Sequence, residues 1–75
     1  MNQPITYGVQ RNVAATDKGG RPVKIALCVV RMPDGSGTTL AIPEGLLATI
    51  PTDKLDDFID SEVEAAVGYE VTRLQ

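Results

Sequence analysis

The chain contains no histidine and no tryptophan, and it has a single cysteine, Cys28, and a single phenylalanine, Phe58. Without histidine the commonest general base and metal ligand at neutral pH is missing. A lone cysteine cannot close an internal disulfide, which points to a reducing compartment. Its apolar neighbours predict a protonated, unreactive thiol. With only Phe58, Tyr7 and Tyr69 as aromatics, the core has to be built from Val, Ile, Leu and Ala. The longest purely apolar run, Ile25–Val30, is far too short to cross a bilayer. The opening Met-Asn-Gln-Pro has neither the basic start nor the apolar stretch of a secretory signal. These absences give the expectation of a cytoplasmic protein that does not engage membranes.

Catalytic motifs are missing as well. Lys18-Gly19-Gly20-Arg21 lacks the spacing of a phosphate-binding loop, and no helix follows it. Asp34-Gly35-Ser36-Gly37 lacks the rest of a calcium loop. No nucleophile has a nominated base. The expectation is a protein that is not an enzyme, with no cofactor and no metal site.

What is present is a division of charge. Residues 1–32 carry Arg11, Lys18, Arg21, Lys24 and Arg31 against Asp17 alone. Residues 33–75 carry nine acids against Lys54 and Arg73, and six of those acids fall between positions 53 and 64. The whole chain of 75 residues is acidic, with a net charge of −3. This length makes one domain, residues 1–75, of marginal stability, since a chain so short hides only about 60% of its unfolded surface.

The local patterns predict the order β-β-β-α-α-β. Ile5, Tyr7, Val9 and Val13 alternate with polar residues, a strand with one drier face that Arg11 interrupts. The glycines of Asp17–Arg21 suit a hairpin turn. Val23–Met32 is apolar on both faces: Val23, Ile25, Leu27 and Val29 on one, Ala26, Cys28 and Val30 on the other. A turn at Pro33–Gly37 leads to a third strand, Thr38–Ile42, and the three form an antiparallel meander. Pro43 and Glu44 suit the first turn of a short helix that packs Leu46, Leu47 and Ile50 inward. Pro51 stops it, and Thr52 is placed to cap the next. Leu55, Phe58, Ile59, Val63 and Ala66 then form the apolar stripe of an amphipathic helix, with Gly68 as its C-terminal cap. Tyr69–Leu74 completes the chain as a short strand. The fold class is α+β: a small antiparallel sheet of three to four strands with one amphipathic helix packed on a face. A helix over the Val23/Ile25/Leu27/Val29 face leaves Ala26, Cys28 and Val30 for a second element or a second protomer, so a homodimer is an expectation.

The segment Thr39–Pro43, with Leu46 and Leu47 after it, resembles the strand-Ile-Pro-helix segment of the AbrB-type swapped-hairpin DNA-binding domains. The resemblance covers about a dozen residues. The acidic helix that follows departs from that family, which has strands there, and proline in a first helical turn is common anyway.

Two groups of residues are candidates for binding. On the second helix Asp53, Asp57, Asp60 and Glu64 recur at steps of four and three, flanked by Asp56 and Glu62. Carboxylates so spaced lie about 5–6 Å apart and repel by a few tenths of a kcal/mol per pair. Such a ridge is not what stability alone would choose and suits a basic partner; the plainer alternative is a solvated face on which Asp53, Asp56 and Asp57 favour the helix start. Asp53, Asp56, Asp57, Asp60 and Glu64 are therefore the expected partner-binding residues of a small protein-binding module, an inhibitor or regulator that docks on a basic surface. Small acidic proteins of phages and mobile elements offer an analogy of size and charge. The alternative is a nucleic-acid-binding module that uses Arg11, Lys18, Arg21 and Lys24 on the first hairpin. The acidic total and the scarcity of aromatics near those charges weigh against nucleic acid. A third reading is an assembly subunit whose basic hairpin meets the acidic helix of the next copy.

Overall fold

The computed structural model of the chain describes residues 5–74. Met1–Pro4, where the absence of a signal was read, lie outside the described residues. The elements are β1 (Ile5–Thr16), β2 (Pro22–Arg31), β3 (Gly37–Pro43), α1 (Glu44–Leu47), α2 (Thr52–Val67) and β4 (Val71–Arg73). This is the α+β arrangement that the alternating and then helical periodicities predict. The sheet has the order β3-β2-β1-β4. The meander β1-β2-β3 is antiparallel, as expected, whereas β4 joins β1 in parallel, which makes the sheet mixed. The reason lies in the helix between β3 and β4. A helical crossover returns the chain to the end where β3 started, so β4 runs in the direction of β3 and hence of β1.

The core lies between α2 and one face of the sheet. It consists of Ile5, Tyr7, Ala26, Cys28, Val30, Ile42, Leu47, Ile59 and Val63. The covered face of β2 is thus Ala26/Cys28/Val30, the reverse of the expectation. Val23, Ile25, Leu27 and Val29 face away from the helix, and Val29 is 46% exposed. The small Ala26 and Cys28 leave room for the Tyr7 ring and for Ile59 and Val63, which are fully buried. A single helix cannot cover both faces, so the face with the larger side chains stays open.

Other local expectations need correction. Leu46 is 45% exposed, because in so short a helix only Leu47 turns into the core. Ala66 is exposed, and Val67 packs against the core in its place. Thr52 does not cap α2: it is the first helical residue, and Pro51 holds the cap position with its carbonyl accepting the Lys54 amide at 2.9 Å. Gly68 does close α2, in the left-handed conformation at φ 81°.

Strand β1 carries the least expected feature. Its pairing with β2 slips between Gln10 and Val13, so Arg11 and Asn12 together face one residue of β2. This is a β-bulge, and Asn12 adopts φ 57° within it, a conformation asparagine tolerates better than most residues. Before the bulge, Ile5, Tyr7 and Val9 share the helix face with Val30 and Cys28; after it, Val13 and Ala15 pair with Ile25 and Val23 on the open face. Beyond the Val13–Ile25 pair β1 and β2 pair only with each other, because β3 begins its pairing at Ile25 and β4 reaches only Ile5–Tyr7. The hairpin therefore projects as a two-stranded arm, in keeping with overall dimensions of 44 × 28 × 20 Å.

The bulge geometry yields a prediction. Asn12→Gly should leave stability within about 0.5 kcal/mol of wild type, because glycine accepts positive φ freely. Asn12→Val should lose about 1–2 kcal/mol, because a β-branched side chain is strained there. Urea denaturation of the two variants checks this.

Candidate functional site

The site candidates divide between the flank of α2 and the arm. Helical periodicity places Asp53, Asp56, Asp57, Asp60 and Glu64 on one flank, the one facing β4. The structure thus brings the five predicted residues together, but it gives them different work. Asp60 is half-buried and accepts a hydrogen bond from the Tyr7 hydroxyl. Asp56 forms an ion pair with Arg73 of β4 and remains 80% exposed at its side chain. These two hold the helix to the sheet. Asp53 and Asp57 are exposed, Glu64 is half-buried, and none of the three has a salt bridge among the described residues.

The Tyr7 contact follows from composition and position. Tyr7 alternates with Ile5 and Val9 on the covered face, so its ring has to enter the core. A buried phenol needs a partner for its hydroxyl. Asp60 supplies it, directly after the buried Ile59 and about one turn before the buried Val63. Burial first, and then the hydrogen bond and charge of Asp60, push the tyrosine pKa well above its ordinary value of 10.0. Burial likewise pushes up the Cys28 thiol, with a smaller opposing effect from Arg73. The expected inert cysteine is therefore buried and protonated.

At the far end of α2, Ser61, Glu64, Ala65, Gly68, Tyr69 and Glu70 line a shallow open depression. Tyr69 is 66% exposed there. An exposed aromatic ring beside two carboxylates suits the side chain of a lysine or arginine, through the face of the ring and the charge of the acids. The sequence reading placed Tyr69 in a strand and missed this grouping. The Gly68 cap was the available signal, since it turns the chain one helical turn after Glu64.

The basic group is less unified than the sequence suggests. Arg11 sits at the bulge, where its Nε and Nη2 donate to Glu44 Oε2 and Oε1 at 2.8 and 2.7 Å. The Asn12 amide donates to the same carboxylate at 2.9 Å. The Arg11 guanidinium and then the Asn12 amide hold the Glu44 carboxyl down to about 2. Arg11 is thus engaged within the fold. Lys18 and Arg21 lie at the arm tip, and Lys24 lies on the arm opposite Ala14. The tip is held by Asp17, whose Oδ1 accepts the Gly19 and Arg21 amides at 2.8 and 2.9 Å. Gly20 supplies the positive φ that the turn requires.

Compared with known proteins, the chain matches no family model, no curated protein and no solved structure. Among the described residues no helix is long and apolar enough to cross a membrane, and no three His, Cys, Asp or Glu residues group to hold a metal ion.

The Tyr7–Asp60 bond makes stability depend on alkaline pH. The unfolded chain releases the tyrosine proton near 10.0, while the folded chain retains it. Above that pH the unfolded state binds fewer protons, so stability falls as pH rises. Tyr7→Phe should cost about 1–2 kcal/mol at pH 7, because the half-buried Asp60 carboxylate loses its donor. Between pH 10 and 11 the gap between variant and wild type should narrow. Cys28 titrates in both proteins, so the difference isolates Tyr7. Chemical denaturation at pH 7, 10 and 11 measures it.

Proposed function

We propose that the chain is a small non-enzymatic protein-binding module that docks the acidic flank of α2 on a basic surface of its partner. The observation that carries this reading is that Asp53, Asp57 and Glu64 on that flank have no salt bridge among the described residues. Asp53, Asp57 and Glu64 stand above the two acids that hold the helix to the sheet. Each adjacent pair opposes folding by a few tenths of a kcal/mol, and a basic partner reverses that sign. The Tyr69 depression continues the same flank and offers a place for a cationic side chain.

The nucleic-acid alternative retains one favourable observation, the projecting two-stranded arm with Lys18, Arg21 and Lys24. A two-stranded ribbon fits a major groove, but three cations supply little phosphate neutralisation.

The test uses the chain as bait in a nuclease-treated lysate, beside a variant carrying Asp53→Asn, Asp57→Asn and Glu64→Gln. Asp56 and Asp60 stay unchanged because they hold the fold. The wild type should retain a basic protein, and the variant should retain it at least about tenfold less, since three interfacial charges at about 0.5 kcal/mol each amount to that factor. Thermal unfolding of the variant should be unchanged or slightly improved. Equal retention by both baits would overturn the reading. Retention that requires intact nucleic acid and is lost with Lys18→Ala, Arg21→Ala and Lys24→Ala would transfer the function to the arm.

A further inference from the structure

Among the described residues, the face of the sheet opposite α2 has no cover and almost no charge. Its side chains are Thr6, Gln10, Val13 and Ala15 of β1, Val23, Ile25, Leu27, Val29 and Arg31 of β2, and Thr39, Ala41 and Pro43 of β3, with Gly8 between them. Arg31, at one end, is its only charged residue among those described. Val13, Val23, Ile25 and Leu27 are half-buried by one another and take no part in the core cluster. The chain is rich in charge elsewhere, so the blank face is a selective feature of the sheet.

We infer that this face binds the same face of a second copy, with the strands of the two sheets running antiparallel about a twofold axis at Leu27. Three observations converge on this occupant. First, the face is neutral and apolar in a chain of net charge −3, and a second copy carries a surface of the same chemistry. Any charged surface would lose hydration against it without compensation.

Second, the area is sufficient. Nine residues of β2 and three strand widths give about 30 × 14 Å. Corrugation by side chains raises that projection toward roughly 600 Å² of accessible area per copy, the lower end of stable interfaces. The pair is therefore concentration-dependent rather than obligate.

Third, the charges at the two ends of the face fix the orientation. The Asp17–Arg21 turn holds Asp17, Lys18 and Arg21; the opposite end holds Arg31 and Asp34. Leu27 lies midway in sequence between the two turns. A twofold axis there brings each turn toward the other turn of the partner, so Asp34 approaches Lys18 and Arg21 while Arg31 approaches Asp17. Parallel stacking would instead set the two Asp17–Arg21 turns, each with two cations against one acid, on each other. Facing sheets cross at about 30°, so these charges orient the pair rather than close ion pairs. Both α2 helices remain on the outside, which keeps the acidic flanks apart.

The inference does not depend on the partner-binding reading, because the two surfaces lie on opposite sides of the sheet. Sedimentation velocity over a rising concentration series should show the 8.0 kDa chain passing from monomer to dimer. Added salt should leave the dimer unchanged or strengthen it, since the acidic copies repel. Val29→Lys places an ammonium at an exposed position and should raise the dissociation constant at least about tenfold, because the symmetric contact desolvates two of them. Asp57→Asn changes net charge by the same one unit on the helix side and should leave the dimer intact. Circular dichroism verifies that Val29→Lys folds; if it does not, Val29→Thr, which keeps the β-branch, should weaken the dimer in its place. A wild type that stays monomeric throughout would overturn the inference and leave the face to a different protein. A dimer that survives these Val29 substitutions, or that dissolves in salt, would also overturn it, the latter pointing to contact between arm and helix.

Discussion

The Glu44 carboxylate closing on the β1 bulge is the constraint from which the rest of the architecture follows. A bulge exposes an amide that the ladder no longer uses, and here the Asn12 amide finds Glu44. The same carboxylate fixes Arg11 through two bonds. Glu44 is in reach because Pro43 ends β3 and turns the chain directly into α1. One ion pair thus ties the end of β3, the short helix and the middle of β1. Arg11 is 39% exposed at its side chain, so solvent screens the pair and its importance lies in geometry more than in energy. The bulge reverses the phase of β1. Were the strand regular, Val13 and Ala15 would project on the side of the arm that carries Lys24. With the bulge they extend the open face beside Val23 and Ile25. The continuous apolar surface of the arm and sheet exists because of that single extra residue.

Tyr7 is the second tie, and it explains how an acidic helix can pack on a sheet at all. The half-buried Asp60 at the lower edge of the acidic flank would otherwise bring a carboxylate against an apolar layer. Tyr7 and Arg73, side by side on β1 and β4, give Asp60 and Asp56 a donor and a cation. The repulsion along the ridge is relieved at its base and left standing above.

Much of this fold was legible because local rules and tertiary packing agree. The glycine turns, the change from a two-residue to a 3.6-residue period, and the Gly68 cap each have a local cause. The choice of covered face was not legible. Both faces of β2 are apolar, and the larger side chains of Val23, Ile25, Leu27 and Val29 suggest the interior. The decision belongs to Tyr7, a residue of another strand, whose ring needs the space above Ala26 and Cys28. The bulge was equally hidden: Arg11 reads as a break in the alternation, and only its distant partner Glu44 shows the break to be a phase shift. The parallel entry of β4 depends on the crossover through α2, which no local pattern around Tyr69–Leu74 encodes. At the site, the five acids were legible as a ridge from their spacing. Their separation into anchors and open charges depends on what β1 and β4 bring beneath them.

The two proposed surfaces reinforce each other physically. A chain of this size has too little interior to cover both faces of a sheet, so one face stays open among the described residues. If a second copy covers that face, the acidic flanks point outward in opposite directions and the arms reach past opposite ends of the pair. A dimer then presents its flank twice. Modest charge contacts of this kind are individually weak and are screened by salt. Two of them on a rigid frame act at high effective concentration on any partner whose basic surface repeats. A pair of sheets held back to back at Leu27 would supply that frame, and the spacing of the flanks would select among basic partners in a way that charge alone does not.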